Sequence, residues 1–341
     1  MKGSLILFDQ INGRDAAARL VNGVLDDLLI DPAEDRMRPG AIYRAKAGRP
    51  MKGQGGMILN TPDGALFLRQ SKGVAQGETV FAQVSTYAEP GKAAPATLKL
   101  LFKSRFCLIT PGAKGRNISK AIRDEERRVE LHEIIHSVSL ADGVGLVLRT
   151  AAEDADDADI RADLESVADL AAQIFNEPLA GPVEKLLDGP GASEIALRDW
   201  PAPDGFDQDP GSFARHGVDE MIDDLRTPET ALPEGSIVVE DTRALVAVDV
   251  NSGGNTSVAA GLSTNVAAMR ALPRALRLRG LGGQIVVDLA PLPKRDRRRV
   301  EEAAKSAFRH DNIETSFVGW TPLGHMEFLR KRERLPLKEA L

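Results

Sequence analysis

The sequence predicts a mixed α/β and α+β fold made of several subdomains, and three observations carry that expectation. The first hundred residues hold short strand-like runs separated by Gly-containing turns. Residues 118–140 and 157–176 carry helical periodicity. From residue 236 onward the pattern alternates strand, helix, strand, helix, strand, which implies a βα-type layer.

Taken in order, residues 1–38 read as strand, turn, strand, with runs at 5–8, 16–21 and 24–30. Between 39 and 102, five short runs follow at 41–46, 56–59, 65–69, 79–84 and 97–102. Five short strands with frequent Gly suggest a small barrel of the OB type, a common platform for single-stranded RNA. Such platforms stack bases on aromatic side chains, which points to Phe67 with Tyr43 as a second aromatic, and Lys92 adds a cation. Residues 118–140 form a strongly charged amphipathic helix with Ser119 as its cap. The Ala141-Asp142-Gly143 turn ends it, and a strand at 145–148 follows. A second helix runs over 157–176, acidic outside and Leu, Val and Ala inside. Residues 178–235 are rich in Pro and Gly, with a strand expected at 194–197 and a helix at 218–225. There is no internal repeat.

At 341 residues the chain can bury a large core divided among two or three domains. Its 43% hydrophobic and 28% charged residues are ordinary for a globular protein. No apolar run approaches the roughly 18 residues a membrane span needs, and the amino terminus lacks a signal-peptide pattern. The single cysteine, Cys107, rules out an internal disulfide and a multi-cysteine zinc site within one chain. A cytoplasmic protein without structural zinc is expected.

A net charge of −6 argues against a generic nucleic-acid binder, so the distribution of charge decides. Residues 1–150 carry 22 Lys and Arg against 16 Asp and Glu, and residues 270–341 carry 16 against 9. Residues 151–240 carry 5 against 23. Acidity is therefore confined to one middle block, and the basic flanks suit an RNA path. Arg277 and Arg279, in Leu276-Arg277-Leu278-Arg279, and the run Lys294-Arg295-Asp296-Arg297-Arg298-Arg299 are the basic clusters expected along it.

The chemistry concentrates at two aliphatic runs that each end in a carboxylate. They are Ala244-Leu245-Val246-Ala247-Val248-Asp249-Val250-Asn251 and Gly282-Gly283-Gln284-Ile285-Val286-Val287-Asp288. Each reads as a buried strand bounded by Gly or Pro punctuation. If the strands are neighbours, Asp249 and Asp288 lie side by side, where two negative charges repel unless a divalent cation holds them. Oxygen ligands favour Mg²⁺ or Mn²⁺ over zinc. Residues two apart on an extended chain share a face, so Asn251 points the same way as Asp249. An Asp at a strand end is by itself more often a turn or cap residue, and it is the pair that carries the argument.

The segment 236–252 around the first carboxylate resembles the catalytic segment of the ribonuclease E/G family. So do Ser263-Thr264-Asn265, the run Leu276-Arg277-Leu278-Arg279-Gly280-Leu281-Gly282-Gly283, the strand ending at Asp288, and Gly324-His325-Met326-Glu327-Phe328-Leu329-Arg330-Lys331-Arg332. Earlier in the chain the similarity covers 40–46 and 143–150, and it is weakest over 151–230. The resemblance implies a Mg²⁺-dependent endoribonuclease that cuts single-stranded RNA to leave 5′-phosphate and 3′-hydroxyl ends. It implies that Asp249 and Asp288 hold the metal, that Asn251 positions the scissile phosphate, and that Arg149 and Thr150 form a pocket for a 5′-terminal phosphate. It further implies an RNase H-like layer from 1–38 and 176–235, an OB-fold barrel over 39–102, a 5′-phosphate-sensing segment over 103–175 and a DNase I-like catalytic subdomain over 236–341. The family's longer members add a cysteine-based zinc link and a small domain; with Cys107 alone, a zinc-linked tetramer is not expected, and a dimer through the catalytic subdomain is left open. The sequence departs from the family at Leu289-Ala290-Pro291, where a further Asp is common, and at Glu314, which aligns with an Arg.

Two rival readings stand beside this one. A catalytically weakened relative would bind RNA without cutting it. A zinc peptidase would use His132-Glu133-Ile134-Ile135-His136, whose two His lie at i and i+4 on one helix face with Glu133 as base. Against it, no third ligand follows at the usual spacing.

Overall fold

The computed structural model describes residues 3–51, 53, 55–254 and 257–341. It divides into two compact units, one of Met1–Ala33 with Pro203–Leu341 and one of Glu34–Ala202.

In the unit of Glu34–Ala202, five strands close into a barrel: Ile42–Pro50, Met57–Thr61, Gly64–Leu68, Ala94–Thr97 and Thr79–Val84, which pairs back onto the first. Small and aliphatic residues fill its interior, among them Ala45, Ala47, Leu59, Leu66, Val80 and Ala82. The last barrel strand is Ala94–Thr97, earlier than the run expected at 97–102. Glu184–Leu187 pairs antiparallel with Ile42–Pro50, so the 184–202 stretch stays with this unit.

The same unit holds a four-strand sheet in the order Arg116–Ile118, Val144–Leu148, Cys107–Pro111, Phe102–Lys103. Helices Glu125–Ser137 and Asp157–Asn176 share its core through Leu131, Ile135, Ile160 and Leu164. Cys107 lies fully inside this core, and burial pushes its thiol up to about 12, so it is an inert structural residue. The first helix begins seven residues later than expected. Residues 116–118 are a strand instead, paired parallel with 144–148, and the cap is Asp124, whose carboxylate accepts the Arg127 N–H at 3.0 Å. The expected strand at 194–197 lies inside a helix, Ala192–Asp199. Ala192 and Ala196 are buried one turn apart, and the Glu194 carboxylate accepts the Gly191 N–H at 2.8 Å, so local capping overrides the short aliphatic run.

In the other unit, Ser4–Ile11, Arg14–Val21 and Val24–Ile30 form an antiparallel meander with Gly205–Asp207 added in parallel. Its turns, Asn12-Gly13 and Asn22-Gly23, have positive φ at all four residues, the geometry that Asn-Gly favours in tight hairpins. The rest is a six-strand sheet in the order Glu229–Ala231, Ser236–Asp241, Val246–Asn251, Gly283–Asp288, Met326–Arg330, Thr315–Trp320. Only Val246–Asn251 and Gly283–Asp288 run parallel, and the helix Val258–Leu278 makes the crossover such a pair requires. That helix and Arg297–Arg309 share one core with the inward side chains Val246, Val248, Val250, Ile285 and Val287. The alternation expected of a half-covered sheet leaves Asp249, Asn251 and Asp288 exposed.

Candidate active site

The parallel register sets Asp249 directly opposite Asp288 at the carboxyl ends of their strands. On the far side of Asp288, Val287 pairs with Met326, so the next level of the ladder brings Asp288 to His325. One row thus reads Asp249, Asp288 and, just before the third strand begins, His325. The His325 ring donates from Nδ1 to Asp288 Oδ1 at 3.1 Å, and the Asn251 amide donates to Asp249 Oδ2 at 3.0 Å. Among the described residues neither Asp249 nor Asp288 pairs with a Lys or Arg, although neighbouring strands lie only about 4.8 Å apart. Two carboxylates so close, with 65% of the Asp288 side chain exposed, form an electronegative spot open to ligands.

Tight packing from behind fixes these strand ends. Gly235 has φ +88°, and a Cβ there would lie 1.9 Å from the Asn251 carbonyl oxygen, so only Gly lets the preceding loop pass the end of this strand. Asn265, wholly buried on the crossover helix, donates to the Ala290 carbonyl at 2.9 Å and accepts the Ala290 N–H at 3.0 Å. Its amide clamps the backbone two residues beyond Asp288. A further clamp comes one turn earlier on that helix, where a Cβ on Gly261 would lie 2.8 Å from the Pro291 carbonyl oxygen.

The other expected site residues are placed differently. Arg277 is inside the fold, in ion pairs with Asp26, Asp27 and Asp311. Arg279, 7% exposed, donates to the carbonyls of Ala275 and Thr227. Both guanidiniums, expected along an RNA path, are thus held by internal partners, because the end of their helix packs among acidic side chains and uncapped carbonyls. The Lys294–Asp296 turn and the helix after it do present charge, with the Arg295 and Arg298 side chains 83% and 88% exposed. Glu314 is exposed and paired with Lys331 at 2.6 Å.

In the other unit, Arg149 donates to the carbonyls of Ser104, Arg105 and Arg198 and to Asp199 Oδ1 at 2.8 Å. Thr150 shares a 3.0 Å hydrogen bond with Ser119. Asp199 also accepts from Lys103 and Arg198. Burial alone would raise the Asp199 carboxyl, but Arg198 and Lys103 outweigh it and hold the group at about 2. Phe67 is half-buried on the outer face of the barrel between Ile58 and Pro95 on the flanking strands. Lys92 is exposed and pairs with Glu89 at 2.7 Å. Tyr43, expected as a second stacking ring, is instead buried, with its hydroxyl donating to Asp63 at 2.8 Å.

His132 and His136 are exposed and stacked, with ring centroids 6.3 Å apart. Among the described residues no group of three or more His, Cys, Asp or Glu is arranged to hold a metal, so the zinc-peptidase motif lacks its third ligand there. His325 is the site residue that sequence reasoning missed. Its place follows from the antiparallel register of a hairpin 37 residues downstream of Asp288, which no local pattern reveals.

The profile of the ribonuclease E/G family matches residues 102–208 and 204–333. Ribonuclease G of Salmonella typhimurium (strain SL1344) is 25% identical over 386 residues, covering 95% of this chain and 79% of the relative. Ribonuclease G of Escherichia coli (strain K12) is 24% identical over the same coverage. Ribonuclease E of Haemophilus influenzae is 27% identical over 307 residues, 78% of this chain and 33% of the relative.

Proposed function

The chain belongs to the ribonuclease E/G family and is an endoribonuclease, and we propose that it cuts single-stranded RNA with Mg²⁺ or Mn²⁺ held by Asp249 and Asp288. The observation that carries this reading is the pair of carboxylates in direct register with no Lys or Arg paired to either among the described residues. The donor set fits a hard cation: two carboxylates, one carboxamide, and no thiolate. When bound, a divalent cation there lowers the pKa of a coordinated water and offsets charge developing on the phosphate.

The protein's own groups do the rest. Asn251 holds one oxygen of Asp249 and keeps its amide on the open face, beside the position of a scissile phosphate. In-line attack by water leaves a 5′-phosphate and a 3′-hydroxyl. Phe67 offers an outward ring for a base to stack on, and Lys92 a cation for the backbone. Arg149 and Thr150 supply a guanidinium and a hydroxyl for a terminal phosphate, which must displace the Asp199 carboxylate from Arg149 and the Ser119 hydroxyl from Thr150. No helix among the described residues is long and apolar enough to cross a membrane, and we place the activity in cytoplasmic RNA processing.

The test is incubation of an internally labelled single-stranded RNA with the full chain and Mg²⁺, followed by analysis of the product ends. Internal cuts with 5′-phosphate ends that vanish on chelation support the reading. Binding without cutting points to the weakened relative, for which Ala290 and the Lys331-paired Glu314 are the departures to examine.

A further inference from the structure

We infer that His325 is a positioning residue for the metal-binding carboxylate Asp288, acting from outside the ligand set; this rests on the function proposed above. The geometry treats the two carboxylates alike. Asp249 gives one oxygen to the Asn251 amide, and Asp288 gives one oxygen to the His325 ring at 3.1 Å. Each keeps a second oxygen without a protein partner among the described residues. Without its donor, the Asp288 side chain, 65% exposed at a strand end, would rotate freely, and a cation would have to order it on binding.

The backbone that carries the ring is itself held. The turn from Thr321 to His325 is closed by the Thr321 N–H donating to the His325 carbonyl at 2.9 Å and the Gly324 N–H donating to the Thr321 carbonyl at 3.0 Å. The Thr321 hydroxyl accepts the His325 N–H at 3.0 Å. Just before the turn, Trp320 is pinned by Arg297 over its ring at 4.5 Å and by its own N–H donating to Glu301 at 2.6 Å. With 27% of its side chain exposed, His325 projects from this hydrogen-bonded turn toward one oxygen of Asp288. A donor to the ligating carboxylate fixes its orientation, as outer-shell partners do at metal sites generally.

The experiment is Mn²⁺ binding to the full chain, read by electron paramagnetic resonance without RNA, for wild type, His325→Ala, His325→Asn and Asp288→Asn. His325→Ala is expected to raise the Mn²⁺ dissociation constant about tenfold. His325→Asn, which keeps an N–H donor near the Nδ1 position, is expected to recover most of that loss, with the unfolding temperature unchanged in both. The inference is overturned if His325→Ala binds Mn²⁺ as tightly as wild type while Asp288→Asn does not, or if the Asn variant is as weak as the Ala variant. Wild type that binds no Mn²⁺ overturns both this inference and the two-carboxylate metal site beneath it.

Discussion

Asp199 shows how one half-buried charge is stabilised by its surroundings. Its carboxylate is 13% exposed and is met by Lys103, Arg149 and Arg198. Its pKa of about 2 lies below the ordinary 3.8, so the folded state favours the ionised form. Such a group contributes its full stabilisation above about pH 4 and loses it as pH falls through 2. Asp199→Asn is therefore expected to cost about 2 kcal/mol near neutral pH, with the deficit shrinking toward pH 2, as read by urea unfolding across a pH series. An equal deficit at every pH would mean that lost packing, rather than charge, is responsible. At this scale the sequence was only partly legible. Asp249 and Asp288 stand out as polar endings of aliphatic runs, whereas Arg277 looks like a free cation until Asp26, Asp27 and Asp311 arrive from distant segments, and Arg279 until the Thr227 carbonyl does.

At the scale of elements, periodicity carried the reading where an element buries a continuous face. The helix Asp157–Asn176 matches its expected limits, because Ile160, Leu164, Val167, Ala171 and Ile174 keep a helical spacing throughout. The Ala192–Asp199 helix was hidden because four residues of Glu-Ile-Ala-Leu fit a strand as well as a helix, and its capping contact decides. Strand register is the least legible quantity. The side-by-side carboxylates depend on the 258–278 crossover, and His325 depends on the hairpin pairing beyond it. The Gly235 contact yields a test of that architecture. Gly235→Ala places a methyl group on the Asn251 carbonyl at a positive φ, and is expected to destabilise the fold by roughly 1–3 kcal/mol while slowing cleavage. Unchanged stability and cleavage would show that the strand end is not fixed by this contact.

For the whole molecule, charge is segregated along the chain: residues 1–150 and 270–341 are net basic, and 151–240 strongly acidic. RNA binding through the basic segments releases counterions, so affinity for a single-stranded RNA is expected to fall roughly tenfold or more between 50 and 200 mM salt, measured by fluorescence anisotropy. A flat salt response would remove phosphate contacts from the account. The central claim remains that Asp249 and Asp288 act as one metal-holding unit in cleavage. The measurement that tests it most directly is the Mg²⁺-dependent cleavage rate of wild type, Asp249→Asn, Asp288→Asn and the double variant on the same RNA. Each single change is expected to cost at least about a hundredfold, about 3 kcal/mol, and the double variant little more, because losing either carboxylate disables the shared site. Full activity in either single variant, or losses that multiply in the double variant, would contradict it.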